Sequence, residues 1–211
     1  MFRDRAESGR ELLKHLEKYR GRKLIVLAIP SGGLPVAAEI AKGLEAVLDI
    51  VIVRKLQTPQ NPEAGFGALS LNGEVILNTD LAADLVLTEG QIDQAKVNAM
   101  KEGRSRERAL RGGRPSPEVG GMGVILVDDG LASGYTMLAA VRKLKASHPE
   151  FIVVAVPTGS DRSVALVAKE VDEVICLNIR GMPFAVADAF RNWYDVDEQE
   201  AVRILRYGRR S

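Results

Sequence analysis

Short runs rich in branched side chains divide the chain: LIVLAI (24–29), LDIVIV (48–53), VILVD (124–128), IVVAV (152–156) and EVICLNI (173–179). None alternates with polar residues, which is the pattern of parallel strands covered on both faces. Between them the apolar spacing lengthens to that of a helix. Residues 34–44 place Val36, Ile40 and Leu44 on one face, and residues 136–146 do the same with Met137, Val141 and Leu144. Residues 161–169 follow a Gly-Ser start signal. This alternation predicts an α/β fold with a doubly wound, mostly parallel central sheet flanked by helices.

One long stretch breaks the rhythm. Residues 56–87 carry turn residues and then GALSL-NG-EVIL, where Asn72-Gly73 between two short runs predicts a β-hairpin. Residues 88–111 read as a long polar helix with Ile92, Ala95, Ala99 and Met100 as a narrow apolar stripe. GRSRERALRGGRPSPEVGG then reads as a mobile connection into the VILVD strand. A long excursion between core strands builds a lid more often than a second domain. The expected organisation is one domain, 1–211, with 56–121 as a flap or insertion.

Composition narrows the classes. At 211 residues, with 46% hydrophobic and 27% charged residues, the chain can bury the core of one α/β domain. Its 29 basic and 28 acidic residues leave a formal charge of +1, which argues against a nucleic-acid or anionic-membrane binder. The single cysteine, Cys176, lies in an apolar run, and His15 and His148 lack ligand-like spacing. Neither a disulfide framework nor a zinc site is expected, and the thiol reads as a small core residue in a reducing compartment. The opening MFRDRAESGRELLKHL is charged at nearly every turn, and no apolar run approaches bilayer length. Neither a signal peptide nor a membrane span is expected, so the chain reads as cytoplasmic.

The stretch VILVDDGLASGYTM (124–137) concentrates the candidate chemistry. Asp128 and Asp129 fall at the carboxyl end of a parallel strand, where open α/β sheets bind ligands. One aspartate there would serve as a turn former or helix cap. Two adjacent carboxylates repel unless a cationic or polyhydroxylated group lies against them. Ala132, Ser133, Gly134, Tyr135 and Thr136 then lead into a helix N-terminus, where successive N–H groups and the helix dipole form an anion cradle. Acids for hydroxyls beside a cradle for phosphate suit a sugar phosphate.

VILVDDGLASGYT closely resembles the phosphoribosyl-pyrophosphate (PRPP) signature of the type I phosphoribosyltransferase family, and every class-restricted position fits. The resemblance implies that family's fold, with Asp128 and Asp129 on the ribose hydroxyls and Ala132, Ser133, Gly134, Tyr135 and Thr136 on the 5-phosphate. It implies transfer of a 5-phosphoribosyl group from PRPP to a nitrogenous base-like acceptor, in nucleotide salvage or related metabolism. It also implies Mg²⁺, held mainly by pyrophosphate and ribose oxygens with Asp128 and Asp129 as the candidate protein ligands, and a homodimer. The family's pyrophosphate loop corresponds to Pro30-Ser31-Gly32-Gly33, with Ser31 where relatives often carry Arg or Lys. Arg54-Lys55 resembles the pair that closes the next strand in the orotate and adenine branches and faces pyrophosphate. Ala132 stands where 6-oxopurine enzymes carry an acid, which disfavours hypoxanthine-guanine chemistry. FRDRAESGRELLKHL and RKLQTPQNPEAGFGAL resemble a less characterised bacterial and archaeal group of the same family, so the resemblance runs along nearly the whole chain.

Other residues have weaker signals. Glu63 reads as a base-side acid or a solvated turn residue. The arginines 104, 106, 108, 111 and 114 could close over pyrophosphate, but a solvated helix face is the expectation. Trp193 and Tyr194 could stack on a base within a C-terminal hood (180–211), or simply pack the last helix. Pro157-Thr158-Gly159-Ser160 is assigned turn and capping duties. The competing function is a non-catalytic PRPP- or nucleotide-binding regulatory protein, which Ser31 and the missing base-assisting acid favour. A dinucleotide binder is disfavoured because no Gly-x-Gly-x-x-Gly opens the first helix.

Overall fold

A computed structural model describes residues 1–59, 65–181 and 185–208. In chain order the elements are α1 (Arg5–Leu16), β1 (Leu24–Ala28), α2 (Gly33–Leu44), β2 (Val47–Ile50), β3 (Val53–Gln57), β4 (Gly65–Ser70), β5 (Val75–Leu77), α3 (Thr79–Asp84), α4 (Glu89–Arg111), β6 (Gly123–Val127), α5 (Tyr135–Lys145), β7 (Phe151–Ser160), α6 (Asp161–Ala168), β8 (Glu173–Arg180) and α7 (Glu198–Gly208). The strands form a parallel sheet in the order β2-β1-β6-β7-β8 and an antiparallel sheet in the order β3-β4-β5. Every residue of β1, β6 and β7 is buried. Val26, Ile125 and Val153 face Leu12, Val36, Ile40 and Leu205 of α1, α2 and α7. Ile25, Leu126 and Val154 face Met137, Leu138, Val141 and Val167 of α5 and α6. The strand period of two thus feeds two cores at once, which explains the missing polar alternation.

From β1 the chain moves outward to β2, then returns to β6 on the other side and continues to β7 and β8. That reversal between β1 and β6 is a topological switch point, where the loops leaving the two strands part and open a crevice.

Two expectations need correction. The run 48–53 is not one strand. Parallel pairing of β2 ends at Ile50, and Val53 opens β3 in the second sheet, opposite Ser70. Residues 157–160 are strand as well as cap. β7 pairs with β8 through Ser160, opposite Arg180, whereas its pairing with β6 ends at Ala155. Pro157 therefore sits where β7 has lost one neighbour, so its missing N–H leaves no ladder bond unmade on that side. Ser160 also caps α6, accepting from Ser163 N–H.

The expected hairpin is β4–β5, turning through Gly73 at φ 95°. Ala68 and Ile76 pack with the α5 side of the core, while Leu56, Phe66 and Leu69 pack against Ile92, Ala99 and Met100 of α4. Thr88 and Gln91 close a capping box at the start of α4, and Gly112, at φ 62°, ends it in the left-handed region. α7 packs against α2, α4 and β2.

Candidate functional site

Two turns meet at the switch point. After β1, Ile29 N–H donates to Val127 O at 2.9 Å, holding the Pro30–Gly33 turn beside β6. A Cβ on Gly32 would lie 2.0 Å from Asp129 Oδ2, and one on Gly33 would lie 2.8 Å from Val127 O. Glycine is therefore what lets this turn press against the acidic doublet. The Pro30–Ser31 peptide is cis.

The loop after β6 is tied from below by the extended part of β7. Leu131 N–H donates to Thr158 O, and Ser160 N–H donates to Leu131 O. Ser163 Oγ–H reaches Leu131 O at 2.8 Å. These bonds hold the carbonyl side of the loop. The first-turn N–H groups of α5, which have no intrahelical acceptor, begin at Tyr135. Gly134 takes φ 82° to turn the chain into that helix. The result is a rigid concave loop ahead of a positive helix end.

A crevice of about 350 Å³ runs along this loop, lined by residues 130–137 together with Asp128, Lys55, Gly65 and Gly67. The hairpin forms its far wall. Asp128 Oδ1 accepts from Asp129 N–H at 2.8 Å. Asp129 keeps 15% of its side chain exposed and pairs through Oδ2 with Arg5 Nε at 2.8 Å. Burial, and then the neighbouring Asp129 charge, push the Asp128 carboxyl well above the usual carboxylate range. Burial also raises Asp129, although the charge and hydrogen bond of Arg5 hold it back. The doublet therefore carries one built-in cation for two acids.

The basic residues separate as strand geometry requires. On β3, Lys55 lines the crevice, while Arg54 points to the other face and pairs with Glu102 of α4 at 2.5 Å. Gly103 permits this approach, since a Cβ there would lie 3.2 Å from Arg54 Cγ. One helical turn on, Arg106 Nη2 donates to Ser31 Oγ at 2.5 Å. Burial and the nearby Arg54 charge lower the Arg106 pKa. Among the described residues, neither Arg54 Nε nor Arg106 Nε finds a hydrogen-bond partner. Arg106 thus brings a half-buried guanidinium onto the Ser31 turn, with the Arg54–Glu102 pair close behind it.

The solvated-face expectation for the α4 arginines thus holds unevenly. Arg104 and Arg108 are exposed, Arg106 reaches the Ser31 turn, and Arg111 is buried against Asp49 of β2 at 2.8 Å. A signal existed in the sequence: the buried stripe Ala99, Gly103, Leu110 continues the helical spacing onto this side.

Trp193 and Tyr194 do not line the crevice but reach the doublet through Arg5. The Arg5 guanidinium lies 4.0 Å from the Trp193 ring centroid, and its Nη1 donates to Tyr194 O at 2.7 Å. The 3₁₀ turn Val186–Ala189 lies nearer, with Val186 beside Gly130. Arg5 itself carried no sequence signal, because its carboxylate partner is 124 residues away. Glu63 lies outside the described residues. Cys176 is half-buried, and burial pushes its thiol up to about 11, which leaves it a poor nucleophile. Among the described residues no group of three or more His, Cys, Asp or Glu side chains gathers as a metal site. Nor, among them, is any helix long and apolar enough to cross a membrane.

The switch point of the parallel sheet thus lies between an acidic doublet and a glycine turn. The phosphoribosyl transferase domain family matches residues 5–189, and the chain belongs to that family. It is 38% identical over 205 residues to a Mycobacterium tuberculosis protein named "Putative phosphoribosyl transferase", covering 97% of this chain and 46% of that one. The chain thus spans about half the length of the curated relatives it matches. The crystal structure of TT1426 from Thermus thermophilus superposes with a TM-score of 0.79 at 32% identity, covering 97% of each chain.

Proposed function

We propose that this chain is a phosphoribosyltransferase domain that moves a 5-phosphoribosyl group from PRPP to a nitrogen of a base-like acceptor, in nucleotide salvage or related metabolism. The observation that carries the reading is the meeting of Asp128 and Asp129 with the Gly32 turn on one side and the α5 N-terminal loop on the other. Asp128 and Asp129 hold the ribose hydroxyls. The N–H groups and hydroxyls of Ala132, Ser133, Gly134, Tyr135 and Thr136 hold the 5-phosphate. Ser31, Gly32 and Gly33 hold pyrophosphate, with Lys55 and Arg106 as the cations that approach it. Holding the donor at both ends exposes C1 in line to the acceptor. The C1–O bond to pyrophosphate breaks as the C1–N bond forms, with oxocarbenium character at C1 by analogy with glycosyl transfer.

The doublet suits magnesium through its chemistry, since it sets hard carboxylate oxygens beside the crevice. The ion would be carried mainly on donor oxygens, next to Asp128 and Asp129, and would neutralise the departing pyrophosphate. Residues 56–121 act as the flap that excludes water and 185–194 as the inner edge of the hood, within one domain. A cytoplasmic homodimer completes the reading.

The test is pyrophosphate release from PRPP and Mg²⁺ across a panel of purine and pyrimidine bases. Turnover with any base supports the transferase. Tight PRPP binding without turnover would favour the regulatory alternative, to which Ala132 and Ser31 lend weight, and no binding would sink both.

Arg106 gives a sharper expectation. Hydrogen bonds to charged groups are worth about 1.5–3 kcal/mol, so Arg106→Gln should weaken pyrophosphate binding roughly 10- to 100-fold by calorimetry. Unchanged affinity would reduce Arg106 to a strut between α4 and the Ser31 turn.

A further inference from the structure

Arg5 is 3% exposed, at the first position of α1, and its planar fork is used on three sides. Nε donates to Asp129 Oδ2 at 2.8 Å, Nη1 donates to Tyr194 O at 2.7 Å, and the guanidinium lies 4.0 Å from the Trp193 ring centroid. Burying such a group is unfavourable unless each side is matched. A helix that merely needed anchoring could use an apolar residue here. The chain around Arg5 is joined to the same C-terminal segment. Phe2 N–H donates to Ala189 O, Arg191 N–H to Phe2 O and Asn192 N–H to Arg3 O, each at 2.8–2.9 Å. That segment begins beside Gly130, at the mouth of the small-residue loop. One guanidinium therefore touches, at one edge, the acid next to the crevice-lining Asp128, and at the others a carbonyl and an indole of the C-terminal segment.

We propose that Arg5 is a positioning residue that couples Asp129 to the Trp193-Tyr194 segment, so that a phosphorylated pentose at the doublet sets the place of the C-terminal segment beside it. The inference rests on the phosphoribosyl reading above for its ligand, but the coupling is a property of the empty protein too. A group that draws the Asp129 carboxylate toward the crevice loosens its hold on Nε. The rigid fork then passes the change to the Tyr194 carbonyl and the indole. Lysine can match the charge of Asp129 but cannot present two bonds and a flat face together.

Trp193 is the single tryptophan of the chain, so its emission reports the segment directly. In the ligand-free protein, Asp129→Asn should shift or quench that emission relative to wild type. With Mg²⁺ and PRPP, the wild type should show an emission change that saturates with the calorimetric heat. Arg5→Lys should bind PRPP within about 10-fold of wild type yet lose the emission change. Arg5→Met should lose about 10-fold or more in affinity, as expected when a carboxylate loses the group that orients it. If the Met variant does not fold, the Lys variant and the ligand-free arm still decide. Unaltered emission in Asp129→Asn, or a full emission response in Arg5→Lys, would overturn the coupling. Absence of PRPP heat with wild type would instead overturn the phosphoribosyl reading and leave the ligand-free comparison to judge Arg5.

Discussion

Arg111→Met is expected to destabilise the protein by about 3–5 kcal/mol, the usual consequence of removing one member of a buried ion pair. Arg111 is 2% exposed and Asp49 6%. Nη1 meets Asp49 Oδ1 at 2.8 Å, and Nη2 donates to Ile50 O at 2.6 Å. Glu107 lies 3.3 Å from Nε. Without the guanidinium, the Asp49 carboxylate stays buried on β2 and loses its 2.8 Å ion pair. Midpoint temperature in a chain of this length moves about 2–4 °C per kcal/mol, so a fall of roughly 6–20 °C should appear in thermal melts followed by circular dichroism. Adding Asp49→Asn removes the buried charge, keeps an acceptor for Ile50 N–H (2.7 Å in the native protein), and should recover a large part of the loss. If the double variant melts no higher than Arg111→Met, the ion pair is not what holds α4 to β2. The pair also bears on the site, because it fixes the end of the helix that carries Arg106 to Ser31.

The parts of this molecule that local pattern could reveal are those whose causes are local. β1 and β6 are covered on both faces, and uninterrupted apolar runs say so directly. Asn72-Gly73 declares a turn because Gly73 takes a left-handed backbone, φ 95°, that other residues rarely adopt. The acidic doublet and its loop are contiguous, so that side of the crevice was legible as a unit. The remainder depends on distant partners. Nothing within 48–53 marks where the chain leaves one sheet for another, since Ile50, Val51, Ile52 and Val53 run apolar across the break. Pro157 and Gly159 look like turn residues until β8 is seen running alongside them. The five arginines from 104 to 114 are chemically equivalent on paper, and only the stripe Ala99, Gly103, Leu110 hints at the two that turn inward once α4 is seated. Arg5 is the extreme case, an ordinary surface residue by sequence and a buried junction by structure.

Asp128→Asn should raise the melting temperature of the ligand-free protein near pH 7 while lowering PRPP affinity about 100-fold or more. The carboxyl is pushed up first by burial and then by its acidic neighbour, so its ionised form is disfavoured in the folded state. Folding therefore retains a proton that the unfolded chain has released above about pH 4. The wild type loses stability from this group as pH climbs from that point towards the raised value, and the loss is constant above it. Asparagine escapes the penalty and still offers Oδ1 to Asp129 N–H, a 2.8 Å bond in the native protein. A higher melting temperature is expected at neutral pH, with the gain shrinking towards zero below about pH 4. Melts of both proteins across that range, with calorimetry against PRPP and Mg²⁺, measure the two effects side by side. A variant that is less stable at pH 7 would show the Asp128 carboxylate to be a structural asset, as a helix cap would be. A variant that is more stable but blind to the donor would show the opposite. The fold then tolerates a strained pair of charges for the ligand they hold, which is the trade expected of a functional site and of no ordinary turn.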